Sequence, residues 1–476
     1  MYKRIVKWFL IIVGLYLLLF GVVIFSFGKD VSQTYINTHS VERFYDEKIG
    51  PDRAIVIDSM EDAHSARIHL IENAQQSLDI SYYSVEPGHS TDVFWGLLVE
   101  AADRGVKVRI ILDGVANGVR SKQQDIMFMI KNHPNMELKF YELPNVWKPW
   151  TFNNRLHDKY IIADHMLAIL GGRNIGDRFL ASDDYEGERA YDRDVLVYHA
   201  NDDSRSSVIT DLSVYFNEVY DSPYAKQSMD TLSKKEQLRG REKEQQLHTY
   251  ITEERQQRHH RFRQQIDWKE ITLETNKITL IRNPIHRFNK EPWVLYEVFQ
   301  LLHTAKQEIV MQSPYIVPTK KMKAGFLYED NEHDVEMKIL TNSRGSTPNY
   351  PAFSVYLRYR DDIVASGAQL YEYQGNHSIH TKSYMVDDDI SMIGSFNLDP
   401  RSAYLSTETM MVIHSKEVRQ QIQELTDDYL EQSLLVDQNG AYQTLENNIP
   451  ERPVSWFKFM VLMVVGFLGK IVAFLL

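Results

Sequence analysis

His157-Asp-Lys-Tyr-Ile-Ile-Ala-Asp164 and His380-Thr-Lys-Ser-Tyr-Met-Val-Asp387 are two copies of one pattern, His-x-Lys-x4-Asp. Fourteen residues after each histidine a glycine opens Gly171-Gly-Arg-Asn174 in the first copy and Gly394-Ser-Phe-Asn397 in the second. The offset between the copies is 223 residues at His, Lys, Asp, Gly and Asn alike, without a gap. Chance does not hold that many positions in register over such a distance, so the chain carries an internal repeat.

The flanking sequence repeats as well. An apolar-periodic stretch at residues 63–75 leads into Leu78-Asp-Ile-Ser-Tyr-Tyr-Ser-Val85, and a second at residues 93–104 leads into Val106-Lys-Val-Arg-Ile-Ile-Leu112. That is helix–strand–helix–strand grammar, and parallel strands need such crossovers. It returns with residues 293–306, Glu308-Ile-Val-Met311 and Val335-Glu-Met-Lys-Ile-Leu340. We therefore expect two homologous α/β halves, residues 52–222 and 272–436. The joining segment, 223–271, contains a run from Ser233 to Gln265 rich in Lys, Arg, Glu and Gln, with Gly240 its sole glycine and no proline. Such a run predicts an exposed helix. Its most basic part is His259, His260, Arg261 and Arg263, read as a solvated face in preference to a head-group contact.

Side chains alternate along a strand, so His157 and Lys159 share a face, as do His380 and Lys382. If the halves pack about a pseudo-twofold axis, two imidazoles and two ammonium groups meet, with Asn174 and Asn397 on the following loops. That set suits a phosphoryl group. Lysines and amides stabilise charge on the non-bridging oxygens. One imidazole attacks phosphorus and the other protonates the leaving oxygen. A metal would be redundant, and no cofactor is expected. Asp164 and Asp387 lie seven residues from the histidines, which places them on the opposite face and predicts a structural ion pair.

The composition is that of a globular protein, with 43% hydrophobic and 25% charged residues. The net charge of −12 opposes a general nucleic-acid binder. With no cysteine, thiol nucleophiles, disulfides and Cys-ligated metals are excluded. Residues 8–27 are an uncharged run of bilayer length behind Lys3, Arg4 and Lys7. They predict a membrane anchor within residues 1–28 and, by the cationic flank, a body on the outer side. Residues 459–476, preceded by Trp456 and Lys458, form a second apolar run interrupted by Lys470. It is expected to span the bilayer or to lie in its interface, giving a membrane segment at 456–476.

The duplicated motif with its Gly-x-x-Asn resembles the phospholipase D superfamily. Arg155-Leu-His-Asp-Lys159, Gly171-Gly-Arg-Asn-Ile-Gly-Asp177, Leu78-Asp-Ile-Ser-Tyr-Tyr83 and Gly394-Ser-Phe-Asn-Leu-Asp-Pro-Arg-Ser402 are similar to bacterial cardiolipin synthases. The resemblance spans residues 52–436. It implies two mixed-sheet halves and transfer of a phosphatidyl group between two phosphatidylglycerols through a phosphohistidine, with phospholipids and the bilayer as partners. His157 is assigned as nucleophile and His380 as acid/base. An acidic residue orienting each imidazole is also implied: Glu408 in the second half and, in Arg193-Asp-Val-Leu-Val197, Asp194 in the first. Two rivals stand beside this reading. One is a phospholipase or nuclease in which water replaces the acceptor hydroxyl, with lipid favoured over nucleic acid by the net charge and the apolar ends. The other is a silent lipid-binding protein, whose signature would be loss of one motif; both motifs are intact.

Overall fold

Short runs of Ile, Leu, Val and Tyr bounded by turn residues give this chain its strands, and the computed structural model assembles them into two matching sheets. It describes residues 2–475 apart from 182–184, 201–206, 228, 263–265, 319–321, 324–334 and 444–448. Arg263 therefore lies outside the described residues, as does the side chain of His260.

The strands of the first part are β1 (Asp52–Ile57), β2 (Ser77–Tyr82), β3 (Lys107–Asp113), β4 (Met136–Tyr141), β5 (Lys159–Ala163), β6 (Leu167–Gly171), β7 (Ala190–Tyr191), β8 (Asp194–His199) and β9 (Ala225–Gln227). Then follow β10 (Leu273–Glu274), β11 (Lys277–Arg282), β12 (Glu308–Gln312), β13 (Glu336–Asn342), β14 (Gln369–Tyr373), β15 (Ser378–Ile379), β16 (Ser383–Val386), β17 (Ile390–Gly394), β18 (Thr409–His414) and β19 (Ser433–Leu435). One sheet runs β10-β1-β8-β6-β5-β2-β3-β4-β9 and the other β11-β18-β17-β16-β12-β13-β14-β19. Strand for strand the orders match, with β10 an addition to the first sheet. Thus Leu273 and Glu274, assigned by sequence to the second half, pair with β1. In both sheets three strands run parallel (β2-β3-β4 and β12-β13-β14) and the neighbours run antiparallel. The fold is mixed α/β in two halves.

The sheets face one another. Tyr160, Ile162, Leu170, Val195 and Val197 share a buried core with Val310, Met385, Ile393, Met411 and Ile413. Burial of that apolar area, worth about 25 cal/mol per Å², fixes the halves in one arrangement. A polar clasp crosses the same interface: Arg193 bonds Asp58 on its own side and Ser383 and Thr426 on the other.

The helix Lys234–Gln257 starts at a capping box of Ser233 and Glu236, as its composition predicts. It is not free in solvent. Gly240, Leu247, Ile251 and Glu254 form a buried stripe against helices Gln124–Asn132 and His89–Asp103. Gly240 is required there, because a Cβ would meet the Phe128 carbonyl. Arg261, read as part of a solvated face, is buried with Nη2 3.5 Å from Glu61.

Tyr2–Phe25 is one helix of 24 residues, long and apolar enough to cross a membrane, and it is exposed along most of its length. The C-terminal helix, Trp456–Val472, is tied to the second half at its start and after its end. Lys458 Nζ donates to the carbonyls of Gly345 and Thr347 (2.9 Å each), and Ser354 Oγ to that of Leu462. Beyond the helix, Arg401 donates to the Leu475 carbonyl.

Candidate active site

The two histidines stand just before β5 and β16, where each chain segment makes a short parallel bridge to the other half. Leu156 bridges Thr407, and Ile379 of β15 bridges Tyr191 of β7. The residue after each bridge partner is an acid. His157 Nδ1 consequently lies 2.9 and 3.0 Å from the two oxygens of Glu408. His380 Nδ1 lies 2.5 Å from Asp192 Oδ2. Each half supplies the acid for the other half's imidazole.

Glu408, read from the sequence as the imidazole-orienting acid of the second half, meets the imidazole of the first half, His157, across the interface. Asp194 is not the second acid. It is wholly buried, and its Oδ2 lies 2.9 Å from Arg67 and 3.2 Å from Arg173, a structural triad. The acid on His380 is Asp192. The register carries the explanation: Gly171 pairs with Asp194 where Gly394 pairs with Met410, so Asp192 and Glu408 are equivalent. The loop before the first is seven residues longer, which shifts the offset from 223 to 216.

The glycine after β6 now has a purpose. A Cβ on Gly172 would collide with the Asp192 carboxylate. At the equivalent place in the second half stands Ser395, whose Oγ donates to Glu408. A short acid beside a glycine and a longer acid under a hydroxyl each hold one imidazole Nδ1.

Lys159 and Lys382 are both about 1% exposed, and each donates from Nζ to the carbonyl of the histidine two residues earlier. Lys382 Nζ is also 2.9 Å from His380 Nδ1 and 3.9 Å from Asp192. Asp158, between His157 and Lys159, faces the other way and accepts from Tyr215. Asn174 Oδ1 accepts from the Ser84 backbone, and Asn397 Nδ2 donates to Tyr315. Among the described residues neither asparagine bonds to a lysine or imidazole of the site. The Asn397 side-chain oxygen Oδ1 is buried without a partner among the described residues.

The charges of the two halves feel one another. Burial pushes His157 well below the usual histidine value, with Lys159, Lys382 and Arg401 adding to it. Burial, then Lys382, brings His380 to about 3. Lys159 and Lys382 fall to about 7 and about 8, mainly through burial. Burial lifts Glu408 to about 8. For Asp192 burial pulls upward, but Lys382 and His380 outweigh it and hold the carboxyl below its ordinary value. The resting imidazoles are therefore neutral. With Nδ1 held by a carboxylate, Nε2 is the free nitrogen, and the rings keep 15% and 25% of their side chains exposed, enough to offer it to a substrate.

Among the described residues Asp164 and Asp387 do not form the ion pairs expected of them. Each sits in a turn at positive φ (53° and 48°) that ends the strand. Asp164 accepts the N–H groups of Gln75, Gln76 and Ser77, and Asp387 those of Lys306, Gln307 and Glu308. They fasten the start of the neighbouring strand in each half, a role in the fold and away from the imidazoles.

Residues 68–218 and 298–429, more than half of the chain, match the family described as cardiolipin synthase, PLD-like domain. An uncharacterized protein of Helicobacter pylori is 29% identical over 423 residues, covering 80% of both chains. Cardiolipin synthase C of Escherichia coli is 26% identical over 411 residues, covering 76% of this chain and 81% of its own. The crystal structure of a phosphatidylserine synthase of Haemophilus influenzae superposes with a TM-score of 0.62 at 15% identity, covering 89% of this chain and 95% of that one. That likeness concerns the fold.

Proposed function

The chain belongs to the family of phospholipase D-like domains that includes cardiolipin synthases, and from that premise we propose that it is a membrane-bound phosphatidyltransferase condensing two phosphatidylglycerols. His157 Nε2 attacks the phosphorus of the first phosphatidylglycerol, forming a P–N bond as the P–O bond to its terminal glycerol breaks. With the anionic phosphodiester bound, His380 takes up a proton, its charge balanced by Asp192, and as the imidazolium gives its Nε2 proton to the departing glycerol oxygen. A glycerol hydroxyl of the second phosphatidylglycerol then surrenders its proton to His380 and attacks phosphorus. Cardiolipin forms and His157 is released. Lys159 and Lys382 balance the non-bridging oxygens throughout, and Asn174 and Asn397 complete the donor set.

The observation that carries this reading is the reciprocal pair, His157 on Glu408 and His380 on Asp192. Two imidazoles, each with Nδ1 occupied and Nε2 free, are what an attack followed by a separate protonation needs. The apolar N-terminal helix supports a lipid substrate, and Lys3, Arg4 and Lys7 favour an outer-side body. The C-terminal helix, tied to the body through Lys458 and Leu462 in its first half and through Leu475 beyond its end, is read as interfacial.

Purified full-length protein in phosphatidylglycerol vesicles should yield cardiolipin and free glycerol with little phosphatidic acid. Excess glycerol should reverse the reaction, because the bonds broken and formed are alike. Phosphatidic acid as the main product at every lipid concentration would replace the transferase reading with the hydrolase one, since water at about 55 M is excluded only by positioning.

A further inference from the structure

Between β4 and the first histidine runs a ten-residue loop, Leu143 to Phe152, whose tip is apolar and outward. Val146 is 63% exposed, Trp147 68% and Phe152 45%. Val115, 50% exposed, follows β3, at the edge of the sheet where β4 also ends. The tip is built rather than slack. Trp147 N donates to Asn145 Oδ1 and Lys148 N to the Asn145 carbonyl, while Asn145 N donates to Thr151 Oγ1, which itself donates to the Lys148 carbonyl. A fixed loop with its largest aromatic in solvent has no rationale in the fold.

Its neighbour supplies one. Tyr16 of the N-terminal helix donates from its hydroxyl to the Trp147 carbonyl at 2.7 Å. Phe20 packs edge-on against Trp150, and Asn153 Nδ2 donates to the Gly21 carbonyl. Tyr16, Phe20 and Gly21 lie nine, five and four residues before the end of the apolar helix at Phe25, about 13.5, 7.5 and 6 Å along its axis at 1.5 Å per residue. If that helix spans a bilayer, Phe20 and Gly21 hold the loop inside the boundary between head groups and acyl chains, with the Trp147 carbonyl reaching inward to Tyr16. Apolar faces of interfacial elements sit about 5–10 Å deep in that zone, where Trp and Tyr are enriched.

We infer that the loop carrying Val146, Trp147 and Phe152 inserts into the interface of the bilayer crossed by the chain's own N-terminal helix, seating the mouth of the active site on the lipid surface. The chain returns from this loop through Asn153, whose carbonyl accepts from Arg401 at 3.2 Å, to His157. The loop and the reacting groups are thus one short, bonded segment. Lipid substrate then enters laterally from the leaflet in which the helix ends. The inference rests on reading Tyr2–Phe25 as a membrane span.

The absence of cysteine makes the test clean, because one introduced cysteine is the only labelling site. Full-length Trp147→Cys and Val146→Cys, labelled with an environment-sensitive fluorophore in phosphatidylglycerol vesicles, should be quenched by doxyl lipids and shielded from aqueous iodide. Glu244→Cys, on the helix Lys234–Gln257, should show the reverse. Labels at 146 and 147 as open to iodide as that at 244 would overturn the inference. In a second arm, Trp147→Asp should lose at least tenfold in turnover on vesicles and keep its turnover on a short-chain monomeric phosphodiester. Equal loss on both substrates, or no loss on either, would overturn it too. The quenching arm needs no product, so a chain that makes no cardiolipin but buries these labels would fail the proposed function and leave this inference standing.

Discussion

Replacing Asp192 with asparagine tests the site against the fold, because Asp194, two residues away, offers a matched control. The Asp192 carboxylate lies 2.5 Å from His380 Nδ1, is wholly buried, and is held in its ionised form by Lys382 and His380. When His380 is protonated in the reaction cycle, this charge stabilises the imidazolium. Two unit charges centred about 4 Å apart, roughly the spacing of an imidazolium and a carboxylate in contact, are worth about 4 kcal/mol at an effective dielectric constant near 20, or roughly three powers of ten in rate. An amide keeps the shape and removes that term, and it also permits the wrong tautomer. Asp192→Asn should therefore fold normally and lose about 10³-fold in turnover. Asp194 instead neutralises two buried arginines, Arg67 and Arg173. Asp194→Asn should cost about 3–5 kcal/mol of stability, visible as a fall on the order of 10 °C in the unfolding midpoint, while the folded fraction keeps its turnover. Product formation from labelled phosphatidylglycerol and a thermal melt on the same preparations separate the two. An Asp194→Asn protein that is inactive with an unchanged melt, beside an Asp192→Asn protein that retains over a tenth of its rate, would refute the assignment.

His157→Ala and His380→Ala should each lose about 10²–10⁴-fold, since neither imidazole does both jobs; more than a tenth of the rate in either variant, measured as cardiolipin formed, counts against two-histidine chemistry. Turnover should survive EDTA, because Lys159 and Lys382 hold the phosphate charge; complete loss restored by added metal would contradict this. Both lysines are lowered toward 7–8 by burial, so a bound oxyanion should raise them and draw protons from solution. Calorimetry of tungstate binding at pH 8 in buffers of different ionisation heat should show net proton uptake, and zero uptake or release would refute it. By the same sign, these lysines cost stability as pH falls from the free-lysine range toward 7, where the unfolded chain takes up protons first. Glu408, raised to about 8, acts in the opposite direction, its contribution fading as pH rises from the free-carboxylate range through 8.

Much of the fold was legible because the repeat was ungapped where it mattered. The constant offset from His157 to Asn174 predicted two equivalent sheets, and their strand orders agree. What the sequence hid has three physical causes. Asp192 was masked by a loop insertion lying between the histidine and its partner strand, and only the pairing of Gly171 with Asp194 restores the register. The capping roles of Asp164 and Asp387 were hidden because alternation along a strand stops at the turn, and both residues sit in that turn at positive φ. The burial of the helix Lys234–Gln257 was hidden by averaging. Gly240, Leu247, Ile251 and Glu254 recur at helical spacing, and four inward positions suffice to dock a helix whose other faces are charged.

The reciprocal acids give the duplication a chemical meaning. Because the bridges Leu156–Thr407 and Ile379–Tyr191 cross the interface, neither half contains an imidazole with its own acid. One half is not a weaker version of the site; it has a histidine without an orienting group. Duplication also frees the two sides to differ. Gly172 leaves room for a short, ionised Asp192, which lies near Lys382 and favours positive charge on His380. Ser395 caps a longer Glu408 whose burial raises its affinity for a proton, and burial with the nearby Lys159 and Lys382 disfavours positive charge on His157. A group that must become an imidazolium and give its proton away needs the first environment. A group that must attack as a neutral imidazole needs the second. This inequality, built from one methylene and one hydroxyl, supports His380 as the acid/base and His157 as the nucleophile.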